Sequence, residues 1–181
     1  MLVALGVLST VEGSRIYLKA LMAQLLLEKA WRDTQNGMHD VKPWSWADTW
    51  PVARLSSVKH NQDMIVLAGA TGQTLAFGPG HLFASAFPGE TGNTVVVGHR
   101  DTHFAFLKNL KPGELIQLES IDRIQHVYRV TDTAVVHESA TEVMAPDREK
   151  KLTLITCFPF DALVPGGPMR YVVVAVAHAA G

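Results

Sequence analysis

At 181 residues, with 48% hydrophobic and 18% charged side chains, the chain can bury one sizeable core and leaves little compositional room for disorder. A formal net charge of -1 and the lack of any like-charged run weigh against a nucleic-acid binder, which carries a basic excess or stripe. The single cysteine, Cys157, excludes an internal disulfide and a multi-cysteine zinc site.

The chain opens on "MLVALGVLST", which stays uncharged as far as Glu12. That run is shorter than the ~20 apolar residues a bilayer demands, and it lacks a signal peptide's basic region and small-residue cleavage pattern. Three readings stand open: an anchor shortened at its start, an anchor completed by the next segment, or a packing helix. From Ser14 to Trp31, Ile16, Leu18, Leu21, Met22, Leu25, Leu26 and Ala30 recur largely at helical spacing, while Arg15, Lys19, Glu28 and Lys29 interrupt them. This pattern predicts an amphipathic helix, stopped at Asn36-Gly37. "VKPWSWADTWPVARL" then carries Trp44, Trp46 and Trp50 among prolines and reads as an extended covering arm. Its tryptophans suit either a membrane interface or packing across a barrel.

Past Pro51 short strands alternate with turn signals. The strands are predicted near Ala53–Val58, Met64–Ala68, Thr94–Gly98, Leu115–Glu119, Val127–Thr131, Thr133–His137, Leu152–Thr156 and Tyr171–Ala177. "HNQD", "GPGH", "PGETGN", "KPGE" and "PGGP" separate them, with short helical pieces at Thr102–Leu110 and Glu142–Lys150. About eight short strands with few helices predict an all-β closed barrel or sandwich. The chain divides into an N-terminal helix over 1–31, an arm over 32–51 and a β domain over 52–181.

Three residues sit where strand ends present side chains to a cleft. Cys157 ends the buried run "TLIT", and a cysteine nucleophile needs thiolate character, a histidine or cation nearby and oxyanion donors. Most free cysteines, however, are packing residues. His99 follows the run "TVVVG", where it suits acid–base work or a satisfied surface group. Arg170 opens the last strand after a Pro/Gly-rich loop, as a fixed cation or as a snorkelling side chain. His99 and His103 lie four apart, but Arg100 stands where a zinc peptidase motif has glutamate, so no metal site is expected. Nothing in the sequence calls for a cofactor.

Taken together, these residues resemble the sortase family. "TLITC" at Thr153–Cys157 matches its Thr-Leu-x-Thr-Cys motif, Gly98-His99 its Gly-His segment, and Arg170 the arginine that starts its next strand. The order His, Cys, Arg agrees too, and the likeness runs from about Val52 to Ala177. The resemblance implies a closed eight-stranded barrel and a cysteine transpeptidase. It implies Cys157 as nucleophile, His99 as general acid and base, Arg170 as substrate and oxyanion donor, and Thr156 as a second oxyanion contributor. Phe158 and Val97 are expected beside the peptide groove, and the loop Asp161–Met169 is expected to select the substrate. The implied partners are a secreted protein with a C-terminal LPxTG-like sorting motif and an amine acceptor.

The N-terminal helix and tryptophan arm look most like the sortases of Gram-negative bacteria. That likeness implies a membrane anchor at the helix and a catalytic domain facing the periplasm from the inner membrane. Two other readings compete. An envelope cysteine hydrolase or L,D-transpeptidase-like enzyme would carry Ser-His-Gly-Cys, where this chain has Ile155 and Thr156 before Cys157. A non-catalytic peptide-binding barrel is the second.

Overall fold

The apolar, β-branched runs past Pro51 pair into eight strands that close on themselves, as a computed structural model describing residues 2–162, 164 and 166–178 shows. They are β1 (Pro51–Ser57), β2 (Gln62–Ala68), β3 (Gly80–His81), β4 (Gly92–Val97), β5 (Leu115–Glu119), β6 (Gln125–His137), β7 (Lys150–Phe158) and β8 (Met169–Ala177). Around the barrel the order is β1-β2-β3-β4-β7-β8-β6-β5, with β5 returning to pair with β1. The β2/β3 and β4/β7 pairs are parallel and the others antiparallel. Past Arg129, β6 continues to His137 paired with β8 alone.

Side chains of alternate residues fill the interior. Leu55, Val66, Val96, Ile116, Leu118, Tyr128, Leu152, Leu154 and Val173 form one core with Phe104 and Leu107 from the β4–β5 connection. The opposite face of β4, β7 and β8 is not left to water. Val95, Ile155 and Val172 are buried there beneath Val143 and Met144 of the β6–β7 connection. A strand covered on both faces reads as a continuous apolar run, which explains "TVVV" and "LTLI".

The expected strand count is met by a different set of strands. The stretches expected as Val127–Thr131 and Thr133–His137 are one strand, β6, whose pairing with β8 shifts register between Val130 and Asp132. A bulge at that point breaks the alternation and mimics a boundary. The eighth strand is β3, two residues inside the expected turn "GPGH". Gly80 makes this pairing possible, because a Cβ there would lie 2.1 Å from the Gly69 carbonyl oxygen. The helix expected over Glu142–Lys150 is only a 3-10 turn at Thr141–Met144, since Pro146 cannot continue it.

Helix α1 runs over Leu2–Gln35, ending just before the expected stop at Asn36-Gly37 and reaching past residue 31 into the arm. Lys29–Asp33 pairing and the Thr34 hydroxyl bond to Ala30 O support the added turn. Gly37, at φ 95°, ends it with Gly37 N bonding Thr34 O and Met38 N bonding Asp33 O. Leu27 and Trp31 pack on the barrel over Ile65 and Leu67, and Ala30 and Thr34 on the same side of the helix are buried too. The expected stripe of Leu18, Leu21, Met22 and Leu25 instead faces solvent, on the side of the helix away from that contact. The side chains of residues 2–17, where the rest of the expected anchor falls, lie outside the described residues. Among the described residues no helix is long and apolar enough to cross a membrane. A second, one-turn helix, α2, covers Gly72–Leu75. In the arm, Trp44 meets Phe77 edge-on at 4.7 Å and the Thr49 hydroxyl bonds Ala68 O, whereas Trp46 is 83% exposed.

Candidate active site

The parallel pairing of β4 with β7 brings their C-terminal ends to the same rim of the barrel. The last register pair is Val97 with Ile155, and Gly98 N continues it by donating to Ile155 O at 3.1 Å. One residue on, the Thr156 hydroxyl donates to Gly98 O at 2.7 Å, in a buried setting. These bonds fix the two chain segments that carry His99 and Cys157. Gly98 itself lies against the buried Phe104 ring, 2.9 Å from where a Cβ would sit, so the His99 turn can close only over a glycine.

Strand alternation then sorts the side chains. Leu152, Leu154 and Thr156 point into the barrel, and Ile155 and Cys157 point out. Cys157 is half-buried and His99 exposed, and together they line an open cavity of about 370 Å³. Leu75 at the end of α2 and the Ala76 that follows it, with Arg100, Asp101, Thr102 and Gly166, complete its walls.

Arg170 reaches the site from β8, where it is the cross-strand partner of Cys157. Such partners have their Cα atoms roughly 4.5–5.5 Å apart and their side chains on one face. Its guanidinium Nη1 donates to Gly167 O at 2.6 Å and Met169 O at 3.0 Å, and Nη2 donates to the Glu138 carboxylate at 2.6 Å. Arg170 lines a second cavity of about 180 Å³, beside the first, with Val97, Ile155, Val136, Val143 and Met144. The Nε–H and one Nη2 hydrogen have no partner among the described residues, which leaves donors for a ligand.

The remaining expected residues divide. Val97 lines the Arg170 cavity. Phe158 lines neither cavity: it stacks on Tyr171 at 6.4 Å and meets Phe160 edge-on at 6.3 Å. The hydroxyl of Thr156 donates to Gly98 O on the inward face and ties the two strand ends together. Of the loop Asp161–Met169, Leu163 and Pro165 lie outside the described residues. Burial pushes the His103 imidazole below its ordinary value, and the nearby His99 acts in the same direction. Residues 99–103 form turns and not a helix, and the described residues hold no cluster of three metal-ligating side chains.

Two contributors escaped the sequence reading. Glu138 holds the Arg170 guanidinium, and Arg100 turns away from the solvent to bond carbonyls of the β7–β8 loop. Neither partnership has a sequence signal, since one spans 32 residues and the other ends on backbone oxygens. A thiol at a strand end, an imidazole in the same cavity and a guanidinium across the strand pair can together perform nucleophilic acyl transfer.

Comparison with known proteins agrees with this geometry. The sortase domain family matches residues 57–178, which include His99, Cys157 and Arg170. Sortase D of Bacillus subtilis (strain 168) is 32% identical over 116 residues, covering 64% of this chain but only 58% of that protein. A lid mutant of sortase A from Corynebacterium diphtheriae superposes with a TM-score of 0.67 at 25% identity, covering 89% of this chain and 96% of that one. Sortase C-1 from Actinomyces oris gives a TM-score of 0.66 at 25% identity, covering 82% and 80%. A Sortase D5 transpeptidase of Clostridium perfringens shares the fold at 24% identity, with a TM-score of 0.66 over 84% of this chain and 89% of that one. With the sortase domain family matching residues 57–178, most of this chain, and the barrel shared, the chain belongs to the sortase family.

Proposed function

We propose that the protein is a cysteine transpeptidase that cuts a C-terminal LPxTG-like sorting motif of a secreted protein and joins the acyl part to an amine. The carrying observation is the rim itself, where Cys157 and His99 line one cavity and Arg170 stands across from Cys157. The Cys157 thiolate attacks the scissile carbonyl, forming the C–S bond, and the carbonyl pair moves to oxygen. The free donors of Arg170 face the charge that develops there. The tetrahedral intermediate collapses to a thioester as the C–N bond breaks, and His99 gives its proton to the leaving amine. In the second half His99 takes a proton from the incoming amine, which displaces Cys157 as thiolate. The apolar cavity of Val97, Ile155 and Val172 beside Arg170 supports an extended peptide with an apolar residue upstream of the cut.

The α1 helix and tryptophan arm support placement with the Gram-negative type, acting at the inner membrane and facing the periplasm. The solvent-facing Leu18, Leu21, Met22 and Leu25 support contact of α1 with that membrane. Retention of the full chain in the soluble fraction of a Gram-negative host would reject this placement.

The test is covalent capture. Incubating the protein with an LPxTG peptide should give a mass increase equal to the acyl fragment on Cys157, discharged by an added amine to a peptide product. The Cys157→Ala variant should fold normally and form neither species. A variant that still joins the peptide to an amine would overturn the assignment.

A further inference from the structure

Arg100 follows His99 directly, yet only 9% of its surface is exposed. A buried guanidinium normally faces a carboxylate. Among the described residues none lies within ion-pair distance of it. Its Nη2 instead donates to Ala162 O at 2.9 Å and Val164 O at 3.2 Å, both in the loop that joins β7 to β8.

That loop has few other fastenings. Between Pro159 and Pro168 its one other described internal backbone bond is a long one, Ala162 N to Pro159 O at 3.4 Å. Its far end is held by Arg170, through Gly167 O, and by Glu138 N, which donates to Pro168 O. Among the described residues Arg100 is the side chain that fastens the middle, and the middle matters because Gly166 walls the cavity shared by His99 and Cys157. Hydrogen bonds from a charged donor are about twice as strong as neutral ones, so a single guanidinium suffices to set a chain rich in Pro and Gly.

We infer that Arg100 is a positioning residue that fastens the β7–β8 loop to the His99 segment and thereby shapes the cavity that receives the donor peptide around its scissile bond. The role rests on the transpeptidase reading above. It differs from that of Arg170: Arg100 touches loop carbonyls and acts on substrate through them. Both bonds leave one nitrogen, Nη2, whose two hydrogens are fixed in the guanidinium plane, whereas a lysine ammonium is a rotating point charge on a more flexible stem.

The experiment compares wild type with Arg100→Met and Arg100→Lys in two measurements. With a Leu-Pro-Ala-Thr-Gly peptide carrying a fluorophore and quencher, loss of the two bonds should raise KM about tenfold and lower kcat by no more than about threefold. By hydrogen exchange, the amides of Ala162, Val164, Gly166 and Gly167 should exchange about tenfold faster, with those of Leu152–Thr156 unchanged. Arg100→Lys should fall between the other two, and it decides the matter if Arg100→Met does not fold. Loop amides that exchange as in wild type would overturn the inference, as would a loss confined to kcat or a lowered Tm with KM unaltered. If the wild-type protein turns over no such peptide, the transpeptidase reading fails, while the exchange measurement still decides the role of Arg100.

Discussion

Thr156 offers a sharp test of how the barrel aims its nucleophile. Beyond the last β4/β7 register pair, the described hydrogen bonds that tie the His99 segment to the Cys157 strand end are Gly98 N to Ile155 O and the Thr156 hydroxyl to Gly98 O. Thr156→Val keeps the volume of a side chain that is 3% exposed, so no cavity opens. What is lost is one hydrogen bond, and a buried carbonyl is left unpaired at a cost of about 1–3 kcal/mol. For a chain of this size about 2–4 °C of Tm follows each kcal/mol, so a fall of roughly 2–12 °C is expected. The catalytic effect should exceed the thermal one. Misplacing a reacting group by about 1 Å can cost roughly 100-fold, and we expect kcat/KM to fall about 10- to 100-fold at temperatures where the variant is fully folded. Thr156→Ser, which retains the hydroxyl, should recover most of the rate while still losing a methyl group. The assays are thermal unfolding by circular dichroism and single-turnover thioester formation with a labelled peptide. A Thr156→Val enzyme with a lowered Tm but a rate within about twofold of wild type would refute the reasoning, because the bond would then be structural only.

Arg170→Lys should lose at least about 100-fold in turnover, since an ammonium cannot keep the Gly167, Met169 and Glu138 contacts and still present a planar donor edge to substrate. Peptide turnover near the wild-type level would rule out that directional role. His81 is buried with its Nε2–H donating to Ala86 O, and burial pushes its pKa below the ordinary 6.5. The unfolded chain therefore binds the proton more readily, so stability should be full above pH 6.5 and fall as the pH drops from there toward the folded pKa. A His81→Gln variant should flatten the Tm-against-pH curve between pH 7 and 5.5, and an equally steep curve would exclude His81 as a source of that slope. Trp31→Ala removes the largest side chain that docks α1, a loss of about 3–5 kcal/mol for a buried tryptophan. The helix should become the first target of limited proteolysis while the barrel keeps its β signal, and an unchanged cleavage rate within Leu18–Gln35 would count against a local docking role.

How far the sequence disclosed this molecule depends on what each feature leaves in the residue pattern. Strands with a packed inner face are legible because burial alternates along them, and β5 occupies the expected Leu115–Glu119. A two-residue strand such as β3 has no alternation to read, and the bulge in β6 interrupts its own. In α1 the helical spacing of the leucines was visible, but spacing identifies an apolar stripe without saying what meets it. The barrel takes Leu27, Ala30 and Trp31, and the longer stripe of Leu18, Leu21, Met22 and Leu25 is left outside. The same limit governs the site. His99, Cys157 and Arg170 were visible because reactive side chains at strand ends stand out from apolar runs, and the β7/β8 register then sets Cys157 opposite Arg170. The groups that aim them were not visible, because Arg100 and Arg170 are held chiefly by the carbonyls of Ala162, Val164, Gly167 and Met169. A carbonyl is the same at every residue, so such contacts leave no trace in composition or spacing. The loop sequence can therefore vary with little change in these anchors, provided its backbone keeps its path between the two arginines.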